Sequence, residues 1–151
     1  NVTVITNDLK IATTLADNGT CNVIVAGGTL LQNVYTLVGT ETIEFFRNIK
    51  VRKLFLGCDA IDFNWGITNR TFEESHVKNA MISAAQEVIA VADCSKFNKQ
   101  VFSKVCGMDA IDVLITDEIG PQDTERLENL GVRVISASKM QENKIAPLEK
   151  K

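Results

Sequence analysis

Five short polar or glycine-containing clusters, each following an apolar run, hold the side chains able to do chemistry. They are Thr6-Asn7-Asp8, Gly27-Gly28-Thr29, Gly57-Cys58-Asp59, Asp93-Cys94-Ser95-Lys96 and Thr116-Asp117-Glu118. Paired glycines let backbone N–H groups approach an anion. Thr6 and Asn7 precede a helical pattern, where the helix dipole favours a phosphate or carboxylate. Lys96 adds a full positive charge. Together these groups describe a pocket for a small, anionic, hydroxyl-rich molecule, and a sugar phosphate fits. Each cluster also has a plainer use. Thr-Asn-Asp before a helix is a cap, Gly-Gly after a strand is a turn, and Asp93 with Ser95 makes an Asx or Ser turn. Neither GxGxxG nor GxxxxGK[ST] is present to make a nucleotide loop.

A second group, Glu73, Glu74, His76 and Lys78, stands at the start of a helical pattern. Glu74 and Lys78 are four residues apart, a spacing that in its plainest form gives a surface pair of ~0.3–0.5 kcal/mol. His76, the sole histidine, lies two residues from Glu74 and so on another face, as a solvated residue. With one histidine and no Gly-x-Ser-x-Gly, a Ser-His-Asp mechanism is disfavoured. Lys96 beside Cys94 suggests a lowered thiol pKa, but without a histidine partner Cys94 is expected to be structural. The four cysteines at 21, 58, 94 and 106 form no CxxC pair and have no nearby histidine, so neither a metal site nor a cofactor is expected. Cys58 and Cys94 follow strand-like runs, where a reduced thiol packs as a small hydrophobe, and a reducing cytoplasm is the simpler location.

Positioning these groups requires alternating strands and helices. Val2 to Ile5, Asn22 to Ala26, Lys53 to Gly57, Glu87 to Ala92, Val113 to Thr116 and Val132 to Ala137 are short apolar strands. Between them, Leu9 to Ala16 has helical spacing and ends at Asp17-Asn18-Gly19. Thr40 to Ile49 is a helix capped by Thr40, with Ile43, Phe46 and Ile49 on one face. Glu73 to Ala85 buries Val77, Ala80, Met81 and Ala84, and a further helix is bracketed by Pro121 and Gly131. Phe63 to Phe72, with Asn64, Gly66, Asn69 and Arg70, is loop-like. The pattern predicts an α/β fold: a mostly parallel twisted sheet with helices on both faces. Right-handed crossovers place every strand's carboxyl end, and therefore the five clusters, along one edge.

The 151 residues suffice for one domain with a sizeable core, and 45% hydrophobic with 23% charged residues is ordinary for a soluble globular chain. A net charge of −3 without a Lys/Arg-rich run excludes DNA binding by this chain itself. No apolar run approaches the ~20 residues of a membrane span, and no signal peptide is expected. The chain opens at Asn1 and enters a strand almost at once, as a fragment of a longer protein would. Residues 1–138 form the expected domain, and 139–151 a polar tail, partly ordered at best.

Taken in order, "VITNDLKIATTLA", "VIVAGGTLLQNVYTLVG", "KLFLGCDAIDFNWGITNRTFEESHVKNAMISAA", "VIAVADCSKFNK" and "IDVLITDE" resemble the C-terminal effector-sensing domain of the DeoR family of bacterial transcription repressors. The similarity runs from about Val2 to Ile135. It implies a fold like that of ribose-5-phosphate isomerase, glucosamine-6-phosphate deaminase and CoA-transferases. It also implies a phosphorylated-sugar effector, DNA binding only through an N-terminal helix-turn-helix domain absent from this chain, and a homodimer or homotetramer. By motif, the resemblance carries over Thr6, Asn7, Gly27, Gly28, Gly57, Asp59, Glu74, Lys78 and Lys96 as effector-pocket residues. There are two departures. Ala60 replaces a glycine of the family's G-x-x-G-I loop, and the upstream D-x-G-T-T segment, with its strand, is missing. The alternative implied by the fold is a sugar-phosphate isomerase or deaminase using Glu74 or Asp59 as base. Lys96→Ala is the expected first test of effector response.

Overall fold

The computed structural model describes residues 2–137; the tail from 139 onward lies outside the described residues. Strand β1 (Thr3–Thr6) leads into helix α1 (Leu9–Asn18), followed by β2 (Asn22–Val25), a hairpin of β3 (Thr29–Leu31) and β4 (Thr36–Val38), and α2 (Thr40–Arg47). Then come β5 (Val51–Leu56), β6 (Ala60–Asp62), β7 (Gly66–Asn69), α3 (Phe72–Ala84) and β8 (Ala85–Val91). The chain continues through β9 (Ser103–Cys106), β10 (Val113–Thr116), α4 (Pro121–Asn129) and β11 (Arg133–Ser136).

The fold is α/β. Four parallel strands run in the order β11-β10-β8-β5, while β1 and β2 form a separate parallel pair. All six expected strands form, but they do not make one sheet among the described residues. On one side β1 pairs with β2, on the other β5 pairs with β8, and a cleft lies between β1 and β5.

Register aligns the core. Leu56 stands opposite Ala90, Ala90 opposite Leu114, and Leu114 opposite Val134. With a side-chain period of two, this row falls on one face of the sheet. Against it pack Ile61, Phe63 and Ile67 from β6, β7 and their connection, and Leu127 from α4. A second cluster of Ala26, Val38, Phe46, Val77 and Ala80 joins the hairpin, α2 and α3.

Two local expectations are corrected. Phe63 to Phe72 is not simply a loop: β7 lies within it, pairs with β6 and β9, and is buried throughout. Gly66, at φ 118, makes this possible, because a Cβ there would meet the Cys106 carbonyl oxygen at 2.0 Å. The turn-like residues thus mark a close strand crossing. Secondly, α2 is capped by Gly39, at φ 111, and Thr40 is its first helical residue. Elsewhere the caps follow chemistry. The Asp8 carboxylate accepts from the N–H groups of Lys10 (2.7 Å) and Ile11 (2.9 Å), and Gly19 ends α1 in the left-handed region.

Candidate functional site

The cleft between β1 and β5 has a volume of about 250 Å³. Its apolar lining comes from Ile5, Ile11, Leu54, Phe55, Leu56 and Met81. Its polar groups are Thr6, Asn7, Asp8, Thr36, Gly57, Glu74 and Lys78. Thr6, Asn7 and Gly57 come from the carboxyl ends of the two strands, while Glu74 and Lys78 come from the first half of α3. Five of the nine expected residues, Thr6, Asn7, Gly57, Glu74 and Lys78, therefore share one cleft.

Lys78 organises that end. Its Nζ donates to the Gly57 carbonyl oxygen at 3.0 Å and to Asn69 Oδ1 at 3.1 Å. Asn69, 1% exposed, in turn donates through Nδ2 to Asp59 Oδ2 at 3.2 Å. That carboxylate also accepts the Arg70 N–H at 3.0 Å. Asp59 thus stands behind the cleft wall and holds Asn69, which holds Lys78. Burial pulls the Lys78 pKa below its usual value, and the charges of Glu74, Asp59 and Cys58 push it back up. Glu74 Oε2 accepts from the Thr71 hydroxyl at 3.0 Å, and that hydroxyl also caps α3 by accepting the Glu74 N–H. An ammonium with one N–H to spare, a carboxylate and several hydroxyl or amide groups suit an anionic polyol.

The remaining expected residues lie outside the cleft's lining. Gly28, at φ 143, lets the backbone pass where a Cβ would meet Thr42 Oγ1 at 2.1 Å and the Val38 carbonyl oxygen at 2.6 Å. The Gly27 carbonyl oxygen accepts from the Thr42 hydroxyl at 2.6 Å. The glycine pair thus seats the hairpin and α2. Lys96 lies in the turn after β8, and its charge favours the thiolate of Cys58. The N-terminal N–H groups of α1, expected to serve an anion, are occupied by Asp8.

The Asp93-Cys94-Ser95-Lys96 corner is built by two carboxylates. Asp93 Oδ1 accepts the Ser95 N–H at 2.9 Å. Asp117 Oδ1 accepts the N–H groups of Cys94 (2.7 Å) and Glu118 (2.8 Å), joining the ends of β8 and β10. The Ser95 hydroxyl and then its N–H hold the Asp93 carboxyl below its usual range, and the Cys94 and Glu118 N–H groups do the same for Asp117. Cys94 is exposed, with its Sγ 3.6 Å from Asp117 Oδ2. Its pKa is raised by desolvation and then by the Asp117 charge. It is therefore not a packing residue, and Lys96 does not lower its pKa. Cys58 does pack against the core, and burial pushes its thiol up to about 11. His76 is exposed and stacks on Phe72, 5.9 Å between ring centres.

Two residues that bear on the cleft, one supporting Lys78 and one in the lining, carried no sequence signal. Asn69 sits where turn-forming residues suggest a loop. Thr36 lies in a stretch without clear periodicity, yet its hydroxyl is buried and unpartnered among the described residues. A shallower groove of about 570 Å³ between Phe63, Asn64 and α4 contains none of the expected site residues. Among the described residues, no three His, Cys, Asp or Glu side chains converge as a metal set, and no helix is long and apolar enough to cross a membrane.

Residues 1–118 match the family described as the DeoR C-terminal sensor domain. The chain belongs to this family. The sensor domain is 34% identical over 134 residues to the HTH-type transcriptional repressor GlcR of Bacillus subtilis, covering 88% of this chain and 52% of that protein. It is 33% identical over 132 residues to the HTH-type transcriptional regulator GlpR of Haloferax volcanii, covering 87% and 51%. The glycerol-3-phosphate regulon repressor of Escherichia coli is 27% identical over 121 residues, covering 80% and 48%. The sensor domain thus spans about half the length of the curated relatives it matches.

Proposed function

We propose that the sensor domain binds a phosphorylated sugar in the cleft between β1 and β5 and thereby modulates DNA binding by a helix-turn-helix domain of the same polypeptide. The observation that carries this reading is Lys78. Its ammonium is partly desolvated, held by two acceptors, and set beside Glu74, Thr6 and Asn7 in one cleft. A partly desolvated cation with a spare donor gains most from a phosphate oxygen, and the surrounding amide, hydroxyl and carboxylate groups suit the sugar's hydroxyls.

The function is sensing rather than turnover. Glu74 and Asp59, the candidate bases, are each engaged in hydrogen bonds to the surrounding protein, and His76 faces solvent. The names of the relatives, which are regulators and repressors, agree with this. The full-length protein is a cytoplasmic homodimer or homotetramer, with residues 1–138 as its effector domain. The open edges of β1 and β5 are the place for the strand of the upstream D-x-G-T-T segment, which would join the two parallel sheets.

The test is a panel of phosphosugars, headed by glycerol 3-phosphate because it appears in a relative's name, added to the full-length protein. One member should raise the melting temperature progressively with its concentration, by RT ln(1 + [L]/Kd) in free energy, and change operator affinity without being consumed. Consumption that disappears in Glu74→Gln would instead indicate an isomerase or deaminase.

A further inference from the structure

Thr36 opens β4 beside the β1–α1 corner, where it forms an isolated antiparallel bridge with Asp8. The hairpin is clamped there on both sides. The Leu9 N–H donates to the Tyr35 carbonyl oxygen at 3.0 Å and the Leu37 N–H to that of Asn7 at 2.8 Å. Asn7 Nδ2 adds a bond of 2.8 Å to the Leu37 carbonyl oxygen. The backbone carrying Thr36 is therefore fixed from both directions.

Its neighbours each make at least one bond within the protein. Thr6 Oγ1 accepts the Asp8 N–H at 3.0 Å, Asn7 holds the hairpin, and Asp8 caps α1. The Thr36 hydroxyl alone is buried without a partner among the described residues. A buried unpaired hydroxyl destabilises the fold, because its hydrogen bonds to water are lost and nothing replaces them. Valine would occupy the same strand position at similar size, with equal strand preference and no such cost. The hydroxyl therefore has no use that the fold itself supplies, and its residue lines the cleft that also contains Lys78 and Glu74.

We infer that Thr36 is a ligand-contacting residue of the cleft, its hydroxyl completing its hydrogen bonding on a hydroxyl or phosphate oxygen of the bound molecule. This rests on the phosphosugar reading above and adds a contact from the hairpin wall to the one from α3. A hydroxyl can both donate and accept, so it selects for an oxygen at that point of the ligand and against a methylene or hydrogen.

The experiment compares wild type, Thr36→Val and Thr36→Ser as full-length proteins, using the phosphosugar that gives the wild type its largest melting shift. Ligand-free Thr36→Val should melt at or above the wild-type temperature while binding that phosphosugar about tenfold more weakly. Thr36→Ser should bind close to wild type. Equal binding by Thr36→Val overturns the assignment. So does a lower melting temperature of its ligand-free form, which would show that the hydroxyl has a partner within the protein. Loss of binding in Thr36→Ser as well overturns it too, since the methyl would then be the contact. Absence of any phosphosugar binding by the wild type contradicts the proposed function and the Thr36 assignment together, whereas equal binding by Thr36→Val contradicts the latter alone.

Discussion

The ammonium of Lys78 donates to the carbonyl oxygen of Gly57 across 3.0 Å, tying the first half of α3 to the carboxyl end of β5. Because Lys78 also holds Asn69, its charge is fixed at the cleft wall before any ligand arrives. Preorganisation of this kind lowers the ordering cost of binding. Lys78→Met should weaken phosphosugar binding at least tenfold, matching the ~1.5–3 kcal/mol of a hydrogen bond to a charged group. Isothermal titration of the full-length protein measures it.

Asp59 lies outside the cleft's lining and is linked to Lys78 through Asn69. Asn69→Ala removes the link between them and leaves the Lys78 ammonium with one fewer acceptor. Effector binding should weaken severalfold, less than in Lys78→Met. Combining the two substitutions should cost less than the sum of their separate effects, because both act through the same ammonium. A double-mutant cycle by titration reads this coupling.

Leu114 is fully buried in the central row of the four-stranded sheet. Leu114→Ala should cost ~2–5 kcal/mol of stability through lost burial and the cavity left behind. Urea denaturation should show the midpoint falling with little change in slope.

Stability at alkaline pH should reflect two opposed effects. Burial pushes Cys58 and Cys106 from the usual 9.0 up to about 11. The folded chain therefore retains protons that the unfolded chain releases, so this contribution is complete below pH 9.0 and is lost as pH rises through about 11. Lys78, shifted below its usual 10.5, works in the other direction, since its burial penalty disappears once both folded and unfolded forms are neutral. In a Lys78→Met background the melting temperature should therefore fall more steeply across this range than in the wild type.

The divided sheet gives a further expectation. A longer chain that carries upstream a strand like the family's D-x-G-T-T segment should show slower amide hydrogen exchange along β1 and β5, whose edges it would pair. Exchange in β10, already paired on both sides, should respond only to overall stability.

The six parallel strands were legible because each is a short apolar run bounded by turn residues, and α1, α3 and α4 because their apolar spacing and end signals agree. The antiparallel pieces were not. β3 and β4 are three residues each, too short for alternation to stand out, and β7 carries Gly66 and Asn69, residues that usually mark a turn. Only tertiary pairing explains them: Gly66 allows a close approach to β9, and Asn69 is buried because Asp59 and Lys78 satisfy it. At the site, chain order brought Thr6, Asn7 and Gly57 into view as strand-end residues, and the family resemblance added Glu74 and Lys78. Chain order could not show that Asp8 would occupy the α1 terminus, that Gly27 and Gly28 would seat α2, or that Lys96 would lie outside the cleft lining. Lys78 therefore takes the place of Lys96 as the first position to substitute.

The central claim is that one phosphosugar binds in the cleft through Lys78. Its most direct test is titration of the phosphosugar panel into full-length wild type and Lys78→Met, with Lys96→Ala as the comparison. Saturable binding by the wild type, lost or at least tenfold weaker in Lys78→Met and better retained in Lys96→Ala, is the predicted result. Equal binding by wild type and Lys78→Met, or no binding of any phosphosugar by the wild type, would contradict it.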